Sequence, residues 1–301
     1  MSEPQAIQWF PGHMAKTRRM IEQSLPLVDC VAEIMDARIP ESSRNPDLDR
    51  LCAGKPRILL LNKQDLADEA LTREWVASFQ KTDVAALPLD CRSGRGLARF
   101  MPAVRGLLKE KLERNAAKGM KGRPLRVMVA GIPNAGKSSF INRMAGAKRA
   151  KAEDRPGVTR GRQWISLGAG IEMLDTPGIL WPKFEDPAVG EKLAFTGAVK
   201  DDVLDREQLA ARLLETVRAR YAAPLAARYR LTPEELLRAG DGYALLELIG
   251  RRRGMLISGG EVDLERAAAL ALDEFRAGKW GGITLDLPPS PALHQPETGG
   301  E

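Results

Sequence analysis

The chain has 301 residues, of which 44% are hydrophobic and 29% charged, and its formal net charge is +6 at pH 7. This composition allows the chain to bury a substantial core, and the length suggests about two domains. No apolar run approaches the ~20 residues of a membrane span, the first residues lack the pattern of a secretory signal, and three widely separated cysteines suit a reducing cytosol. We therefore expect a cytoplasmic protein with no membrane partner.

The first third of the chain combines a strand signal with a nucleotide-binding motif. The apolar run Arg57–Leu61 is short enough for a buried strand, and it ends directly in Asn62–Asp65, which reads NKQD, an NKxD sequence. At the carboxyl end of a strand, where open α/β sheets bind ligands, Asp65 can accept hydrogen bonds from N1–H and the exocyclic amine of guanine. Adenine has no donor at N1, so the motif favours guanine; a plain turn at Asp65 is the alternative.

The next predicted strand is Val84–Leu89, and it is followed by a poorly matching loop. In guanine-binding proteins this loop usually reads SAK and contacts the base oxygen through a backbone N–H. Here it begins with Asp90–Arg92, which reads DCR. Because a backbone group makes the contact, the side chains can vary, and we assign no role to them individually.

Positive charge is concentrated between residues 105 and 126, which carry the whole net charge of +6. We predict a helix here, followed by a linker at residues 116–122. Lys118, Lys121 and Arg123 are candidate contacts to RNA phosphates, because such contacts need charge but no base reading. A solvated basic helix is the alternative.

A phosphate-binding motif follows the basic stretch. The run Leu125–Ala130 predicts a buried strand that ends in Gly131–Ser138, which reads GIPNAGKS, a GxxxxGKS sequence. Backbone N–H groups of this loop would surround the phosphates, Lys137 would reach the β- and γ-phosphates, and the Ser138 hydroxyl would ligate Mg²⁺. Residue frequencies produce the motif by chance in roughly one chain in a hundred of this length, which argues against a plain glycine turn.

Two further segments complete the predicted nucleotide site. The polar stretch Asp154–Thr159 precedes a predicted hairpin, Gln163–Leu174, and Asp175–Gly178 then reads DTPG. Thr159 is placed to bring its hydroxyl to Mg²⁺, and Asp175 is placed to hold the water shell of the metal. The Gly178 N–H is placed to donate to the γ-phosphate. The predicted nucleotide-binding residues are Asn62, Lys63, Asp65, Asn134, Ala135, Gly136, Lys137, Ser138, Ser139, Thr159, Asp175 and Gly178.

From about residue 183 the pattern is helical. Asp205 is a candidate N-cap of a helix with apolar residues at helical spacing, Thr232–Glu235 predicts a helix start, and Asp263–Ala277 predicts a further amphipathic helix. Arginines between residues 212 and 253 are candidates for an RNA-facing surface. From Pro288 the composition predicts disorder. We therefore predict an α/β domain over residues 1–182, a helical RNA-binding domain over 183–287 and a disordered tail over 288–301.

The order of the motifs is the most informative feature of the chain. NKxD precedes the phosphate loop by some seventy residues, whereas an ordinary GTPase has the phosphate loop early and NKxD late. A circular permutation explains this order. The predicted fold is a circularly permuted P-loop GTPase domain of the α/β class, with a mostly parallel sheet flanked by helices, followed by a small all-helical domain.

Two more segments complete a family pattern. With Trp9–Met14 (WFPGHM) at the start and Met35–Pro40 (MDARIP) before NKxD, the chain resembles the circularly permuted bacterial GTPases of the ribosome biogenesis GTPase A family over about residues 7–182. The resemblance implies a ribosome-stimulated GTPase that binds GTP and GDP, uses Mg²⁺ and acts in late assembly of the large ribosomal subunit. Its expected partners are the precursor of that subunit and its rRNA, and we expect a monomer.

The resemblance also bears on catalysis. Ras-like enzymes place a water-orienting glutamine after DTPG, but this chain has Ile179 and Leu180. The family implies His13 as the substitute, although a histidine buried at a domain seam is the alternative. Asn134 matches an asparagine that helps bind potassium in potassium-activated GTPases, and a tight turn explains it equally well. The predicted catalytic residues are His13, Lys137 and Thr159, and the predicted metal ligands are Ser138, Thr159 and Asp175.

Two rival functions stay open at this point. A P-loop ATPase or small-molecule kinase would share the phosphate loop, but NKxD argues against it. A non-catalytic RNA-binding scaffold that senses GTP and GDP is kept open by the missing glutamine.

Overall fold

One mixed sheet with helices on both faces organises the chain in this computed structural model, which describes residues 12–82, 84–120, 122–146, 164–201 and 204–289. Within these ranges the strands are β1 (Cys30–Asp36), β2 (Arg57–Asn62), β3 (Ala85–Pro88), β4 (Leu125–Gly131), β5 (Trp164–Gly168) and β6 (Ile171–Asp175). The helices are α1 (Gly12–Ser24), α2 (Pro46–Leu51), α3 (Glu69–Gln80), α4 (Phe100–Leu107), α5 (Lys109–Ala117), α6 (Lys137–Ala145), α7 (Pro187–Phe195), α8 (Arg206–Tyr229), α9 (Pro233–Arg238), α10 (Gly242–Arg252) and α11 (Leu264–Arg276).

The strand order confirms the predicted permutation. The sheet runs β3-β2-β1-β4-β6-β5, and every neighbouring pair is parallel except the antiparallel hairpin of β5 and β6. The chain builds β1, β2 and β3 outward from the middle and then returns to place β4 on the other side of β1. If the chain began at β4 and passed from β6 to β1, the phosphate loop would come first and NKxD late, as in an ordinary GTPase. The predicted fold class is therefore confirmed.

The side chains of the central strands alternate between two cores. Ile34 and Val129 pack with apolar residues of α4 and α6 on one face, while Val31, Met128 and Met35 pack with residues of α1, α2 and α3 on the other. Because helices cover both faces, these strands read as continuous apolar runs rather than as alternating patterns.

The basic stretch makes the return across the sheet. It forms two helices, α4 and α5, rather than the single helix predicted, because Leu108 adopts φ −106° and ψ 19° and ends α4. Most of the cations in this stretch are exposed, and Lys118 caps the carboxyl end of α5.

After Trp181 the described residues form helices and one short bridge between Leu256 and Val262. The predicted cap at Asp205 and the predicted helix start at Thr232 are confirmed, since both side chains accept hydrogen bonds from the first turns of α8 and α9. The predicted helix from Asp263 is α11, and the Asp263 side chain caps it in the same way. None of the helices within the described ranges combines the length and the apolar character that crossing a bilayer requires.

The last described segment, here called the C-terminal strap (residues 278–287), lies along the sheet domain. It follows α11 and contacts the loops after β1 and β2, and at Gly282 a Cβ would lie 2.6 Å from Ala67 O. Its hydrogen bonds to these loops and to α3 include Ile283 N to Leu66 O (3.0 Å), Leu285 N to Arg38 O (2.7 Å), Asp68 N to Thr284 Oγ1 (3.1 Å) and Trp75 Nε1 to Asp286 O (3.2 Å). The strap thereby fixes the helical part of the chain to the NKxD side of the sheet.

Asp286 is the buried anchor of the strap, and its removal should weaken the whole fold. Its carboxylate, 4% exposed, accepts from N (2.7 Å) and Oγ (2.9 Å) of Ser42 and from Nζ of Lys192 (2.8 Å). We expect Asp286→Ala to lower the free energy of unfolding by about 2–4 kcal/mol in urea denaturation, because a buried N–H and a partly buried ammonium lose their acceptor. Asp273→Ala, at an exposed position of α11, should change it by less than about 0.5 kcal/mol. Equal losses in both variants would contradict this role of Asp286.

Candidate functional site

The phosphate loop begins where β4 ends, at the centre of the sheet. Gly131 has φ +140°, and a Cβ there would lie 2.2 Å from Ile34 O of β1, so only glycine fits. Gly136 has φ +101°, and a Cβ there would lie 2.2 Å from the amide nitrogen of Asn62. Since α6 begins at Lys137, the positive end of its dipole lies at the loop, which favours an anion.

A cavity of ≈ 610 Å³ opens between the phosphate loop and the segment after β6. It is lined by Pro133, Asn134, Gly136, Lys137, Ser138, Ser139, Asp175, Thr176, Pro177 and Gly178. Two predicted motifs that are distant in the sequence therefore face one space. The hydroxyl groups of Ser138 and Ser139 are on exposed residues of this cavity, and Asp175 is half-buried.

Lys137 is the buried cation of the cavity, with 7% of its surface exposed. Its ammonium donates to Gly131 O (3.1 Å) and Ile132 O (2.6 Å). Burial lowers the pKa of Lys137 from 10.5 to about 8, and the positive charge of Lys63 adds to the lowering, whereas Asp175 opposes it. A phosphate would supply the negative partner that the two carbonyl oxygens do not.

The DTPG segment is fixed against the phosphate loop. Thr176 Oγ1 donates to Val129 O (2.7 Å) inside β4, and a Cβ at Gly178 would lie 2.8 Å from N and Cα of Pro133. Glycine at position 178 thus has a packing reason in addition to its predicted role at the γ-phosphate.

Ile179 and Leu180 occupy the positions where a Ras-like enzyme has its glutamine. Both are fully buried in the core. Ile179 N donates to Gly131 O (3.1 Å), and Ile179 O accepts from Nδ2 of Asn45 (3.1 Å). These residues anchor the segment, and neither side chain is able to orient a water molecule in the cavity.

Asn62 joins the two halves of the predicted site. Its Nδ2 donates to Ala135 O of the phosphate loop (2.8 Å), and its Oδ1 accepts from Cys91 N in the loop after β3 (3.0 Å). With 3% of its surface exposed, Asn62 has backbone groups of the two loops as its partners within the described residues. Its geometry is that of a residue that positions both loops.

Two carboxylates lie in the NKxD loop and in the SAK-like loop, those of Asp65 and Asp90. Partial burial and the charge of Asp90 raise the pKa of Asp65, while Arg92 opposes the shift. Asp90 accepts from Arg92 N (2.7 Å) and Ser93 N (3.1 Å), and these hydrogen bonds lower its pKa although burial acts in the other direction. Asp90 therefore shapes the SAK-like loop. The sequence located this loop but assigned no role to the side chain of Asp90, because aspartate is common in turns.

Asn134 connects the phosphate loop to the helical part of the chain. It adopts φ +57°, and its Nδ2 donates to Gly197 O (2.5 Å) just after α7. Arg276 of α11 holds the same turn by donating to Phe195 O (3.0 Å) and Ala194 O (2.9 Å). This contact was not visible in the sequence, because Asn134 had a sufficient local reason as a turn residue.

Other predicted residues lie away from the cavity or outside the described ranges. His13 is exposed in the first turn of α1 and is absent from the described residues that line the cavity. Lys118 and Arg123 are exposed near the end of the return across the sheet. Thr159 and Lys121 lie outside the described residues, as does most of the predicted disordered tail.

Three arginines of the helical part are engaged within the protein. Arg212 pairs with Glu191, Arg228 pairs with Glu274, and Arg218 donates to backbone carbonyl oxygens of residues 236–240. These three arginines hold helices together, whereas Arg220, Arg230 and Arg251–Arg253 are exposed.

The fold and the site together define a P-loop GTPase with a permuted chain order. A phosphate loop and a DTPG segment line one cavity at the carboxyl ends of β4 and β6, and the NKxD loop after β2 is hydrogen-bonded to the phosphate loop through Asn62. A family model described as "50S ribosome-binding GTPase" matches residues 126–222. The chain is 48% identical to ribosome biogenesis GTPase A of Priestia megaterium over 94% of this chain and 97% of that protein.

Solved structures agree with this match. GDP-bound YlqF and GNP-bound YlqF from T. maritima are each 30% identical to this chain, with TM-scores of 0.64 and 0.63. The alignments cover 90% and 91% of this chain and 99% and 98% of those chains. The chain therefore belongs to the ribosome biogenesis GTPase A family, and it is a GTP hydrolase.

The lowered pKa of Lys137 predicts proton uptake when a nucleotide binds. In the free protein Lys137 is largely neutral above pH 8, and phosphate oxygens favour its charged form and raise its pKa. We expect GDP binding at pH 8.5 to take up more than half a proton, so affinity falls as the pH rises through about 8. Calorimetry in two buffers of different ionisation enthalpy measures the uptake, and pH 7, where Lys137 is already charged, is the control. Equal uptake at the two pH values would rule out Lys137 as the source.

Proposed function

We propose that the protein hydrolyses GTP to regulate its association with the maturing large ribosomal subunit. The proposal rests on the two hydrogen bonds of the Asn62 side chain. They connect the phosphate loop, which lines the cavity, to the SAK-like loop, so that both loops belong to one nucleotide site. The names of the similar proteins, ribosome biogenesis GTPase A and 50S ribosome-binding GTPase, support the ribosomal partner. In this proposal the protein acts as a monomer in the cytoplasm.

In the proposed site, Asp65 recognises guanine and the phosphate loop holds the phosphates. The Asp65 carboxylate accepts from the two donors on the Watson–Crick edge of guanine, and binding these donors offsets the repulsion from Asp90. Lys137 exchanges its carbonyl partners for β- and γ-phosphate oxygens. The other proposed contacts are those of Asn134, Ala135, Gly136, Ser138, Ser139 and Gly178 along the cavity.

The cavity offers the oxygen donors that suit Mg²⁺. The Ser138 hydroxyl and the Asp175 carboxylate both line it, and such hard donors together with phosphate oxygens and water match this ion. Bound Mg²⁺ would neutralise charge on the β- and γ-phosphate oxygens. Thr159 remains the proposed third ligand. For potassium, the amide oxygen of Asn134 is the proposed ligand, since its amide nitrogen donates to Gly197 O.

The attacking water needs a positioning group from outside the DTPG segment, because Ile179 and Leu180 are buried. His13 is the proposed group. It lies in the first turn of α1, exposed in the free protein, so the ribosomal subunit would have to complete the site by moving this turn. Such a requirement would limit rapid hydrolysis to the assembled complex.

Two regions are proposed to contact the ribosomal subunit. The first comprises Lys118, Lys121 and Arg123, where exposed charge can meet RNA phosphates. The second is the helical region of residues 183–287, which we propose as a domain that binds rRNA. Its contact with the phosphate loop at Gly197 supports a link between nucleotide state and ribosome binding.

Hydrolysis measured with and without large-subunit precursors tests the proposed function. We expect strong stimulation by the subunit in the native protein and almost none in Lys137→Ala. In His13→Ala we expect GTP binding and subunit binding to stay native while stimulated turnover falls by roughly 100-fold or more, the scale of a positioned acid–base group. Lys16→Ala, an exposed change one turn further along α1, is the control and should stay active. If His13→Ala lowers subunit binding and turnover in parallel, His13 is a docking residue instead.

The salt dependence of subunit binding tests the basic segment. Changing Lys118, Lys121 and Arg123 together to Gln should weaken binding and reduce the slope of log K against log salt by about 2, since each phosphate contact contributes ~0.7–0.9. Changing Arg50, Arg73 and Lys81, three exposed cations on or next to α2 and α3, is the matched control and should leave the slope unchanged. A native slope in the first variant would show that the segment is only solvated.

A further inference from the structure

Asp36 and Arg38 form a buried ion pair at the end of β1, next to the NKxD loop. Nε and an NH2 group of Arg38 donate to Oδ1 (2.9 Å) and Oδ2 (2.7 Å) of Asp36, and both side chains are 1% exposed. Asp36 is the strand partner of Asn62, so the pair adjoins Lys63. A buried ion pair seldom stabilises a fold more than apolar packing does, and its presence here points to a further role.

Lys63 is the third member of this group. Its ammonium donates to Oδ2 of Asp36 (2.9 Å), and its side chain is 24% exposed. Its backbone has φ +62°, which non-glycine residues seldom adopt unless the surroundings enforce it. The carboxylate of Asp36 thus holds one end of Lys63 while the strained backbone fixes the other.

Arg38 fastens the group to the helical part of the chain. Its remaining NH1 group donates to Phe275 O (3.3 Å) in α11, and the guanidinium lies 5.0 Å from the centre of the Phe275 ring. The backbone oxygen of Arg38 accepts from Leu285 N of the C-terminal strap (2.7 Å). Arg38 is therefore held on several sides, by Asp36, α11 and the C-terminal strap.

We propose that Asp36 and Arg38 are positioning residues for the guanine nucleotide, because the fixed carboxylate presets Lys63 and the NKxD loop before the nucleotide arrives. This inference rests on the proposed nucleotide site and adds the residues that order its base side. Ordering a long side chain upon binding costs conformational entropy, so a preset Lys63 raises nucleotide affinity. Neither residue lines the phosphate cavity, so we expect turnover at saturating GTP not to depend on the pair.

A double-mutant cycle tests the link from Asp36 to Lys63. GDP affinity is measured without ribosomal subunits in Asp36→Asn, Lys63→Met and the double variant. Each single change should weaken GDP binding by about tenfold, the scale of one charge-assisted hydrogen bond, and the double variant should be little weaker than either. Turnover at saturating GTP with subunits should stay near native in Asp36→Asn while KM rises. Additive losses across the cycle, or native affinity in a folded Asp36→Asn protein, would overturn the inference.

Lys192→Met supplies a matched control. Lys192 is also 24% exposed and donates at 2.8 Å to a buried carboxylate, that of Asp286, but it lies outside the cavity. The Lys192→Met protein should lose stability, as the Lys63→Met protein should, but it should keep native GDP affinity.

If Asp36→Asn does not fold, Arg38→Lys takes its place in the test. This variant keeps a cation beside Asp36 but loses the second hydrogen bond to it, and its GDP affinity should fall several-fold. If folded Arg38→Lys binds GDP with unchanged affinity, the inference is wrong. If the unmodified protein fails to bind GDP, the proposed function itself is contradicted.

Discussion

The nucleotide site depends on the side-chain amide of Asn62, which connects two of its loops. It donates to the phosphate loop and accepts from the SAK-like loop, and the lack of a Cβ at Gly136 is what lets it approach. The two loops come from strands that lie on opposite sides of β1. A buried amide that is satisfied on both sides holds them at a fixed separation, because breaking either hydrogen bond would leave a buried polar group unpaired.

Both sides of the site are also attached to the helical part of the chain. The phosphate loop reaches it through Asn134 and Gly197, and the NKxD side reaches it through Arg38, Phe275 and the C-terminal strap. A nucleotide that favours a different position of either loop would therefore act on the helices without an intermediate element. Such coupling requires contacts that differ between the GTP and GDP states.

The sequence predicted what depends on local patterns and missed what depends on distant pairing. Buried strands, the hairpin, the motif positions and the helix caps follow from periodicity and from short-range hydrogen bonding, and the fold class followed from the order of the motifs. Ser42 and Asp286, separated by 244 positions, leave no periodic trace of their hydrogen bond. Arg38 was recognised only as part of a family motif, because its buried role appears only when Asp36, Lys63 and α11 are brought together. The break at Leu108 was missed although Gly106 lies two positions before it, because a single glycine inside a helical pattern does not by itself end a helix.

The return of the chain across the sheet has a consequence for synthesis on the ribosome. β1, β2 and β3 are complete at residue 88, yet β1 keeps one open edge until β4 is finished at residue 131. Translation proceeds at roughly 5–20 residues per second, so the edge stays open for several seconds. During that time its unpaired N–H and C=O groups can pair with strands of other chains. The most vulnerable interval of this protein thus falls during translation, in a strand that the finished molecule buries along its whole length.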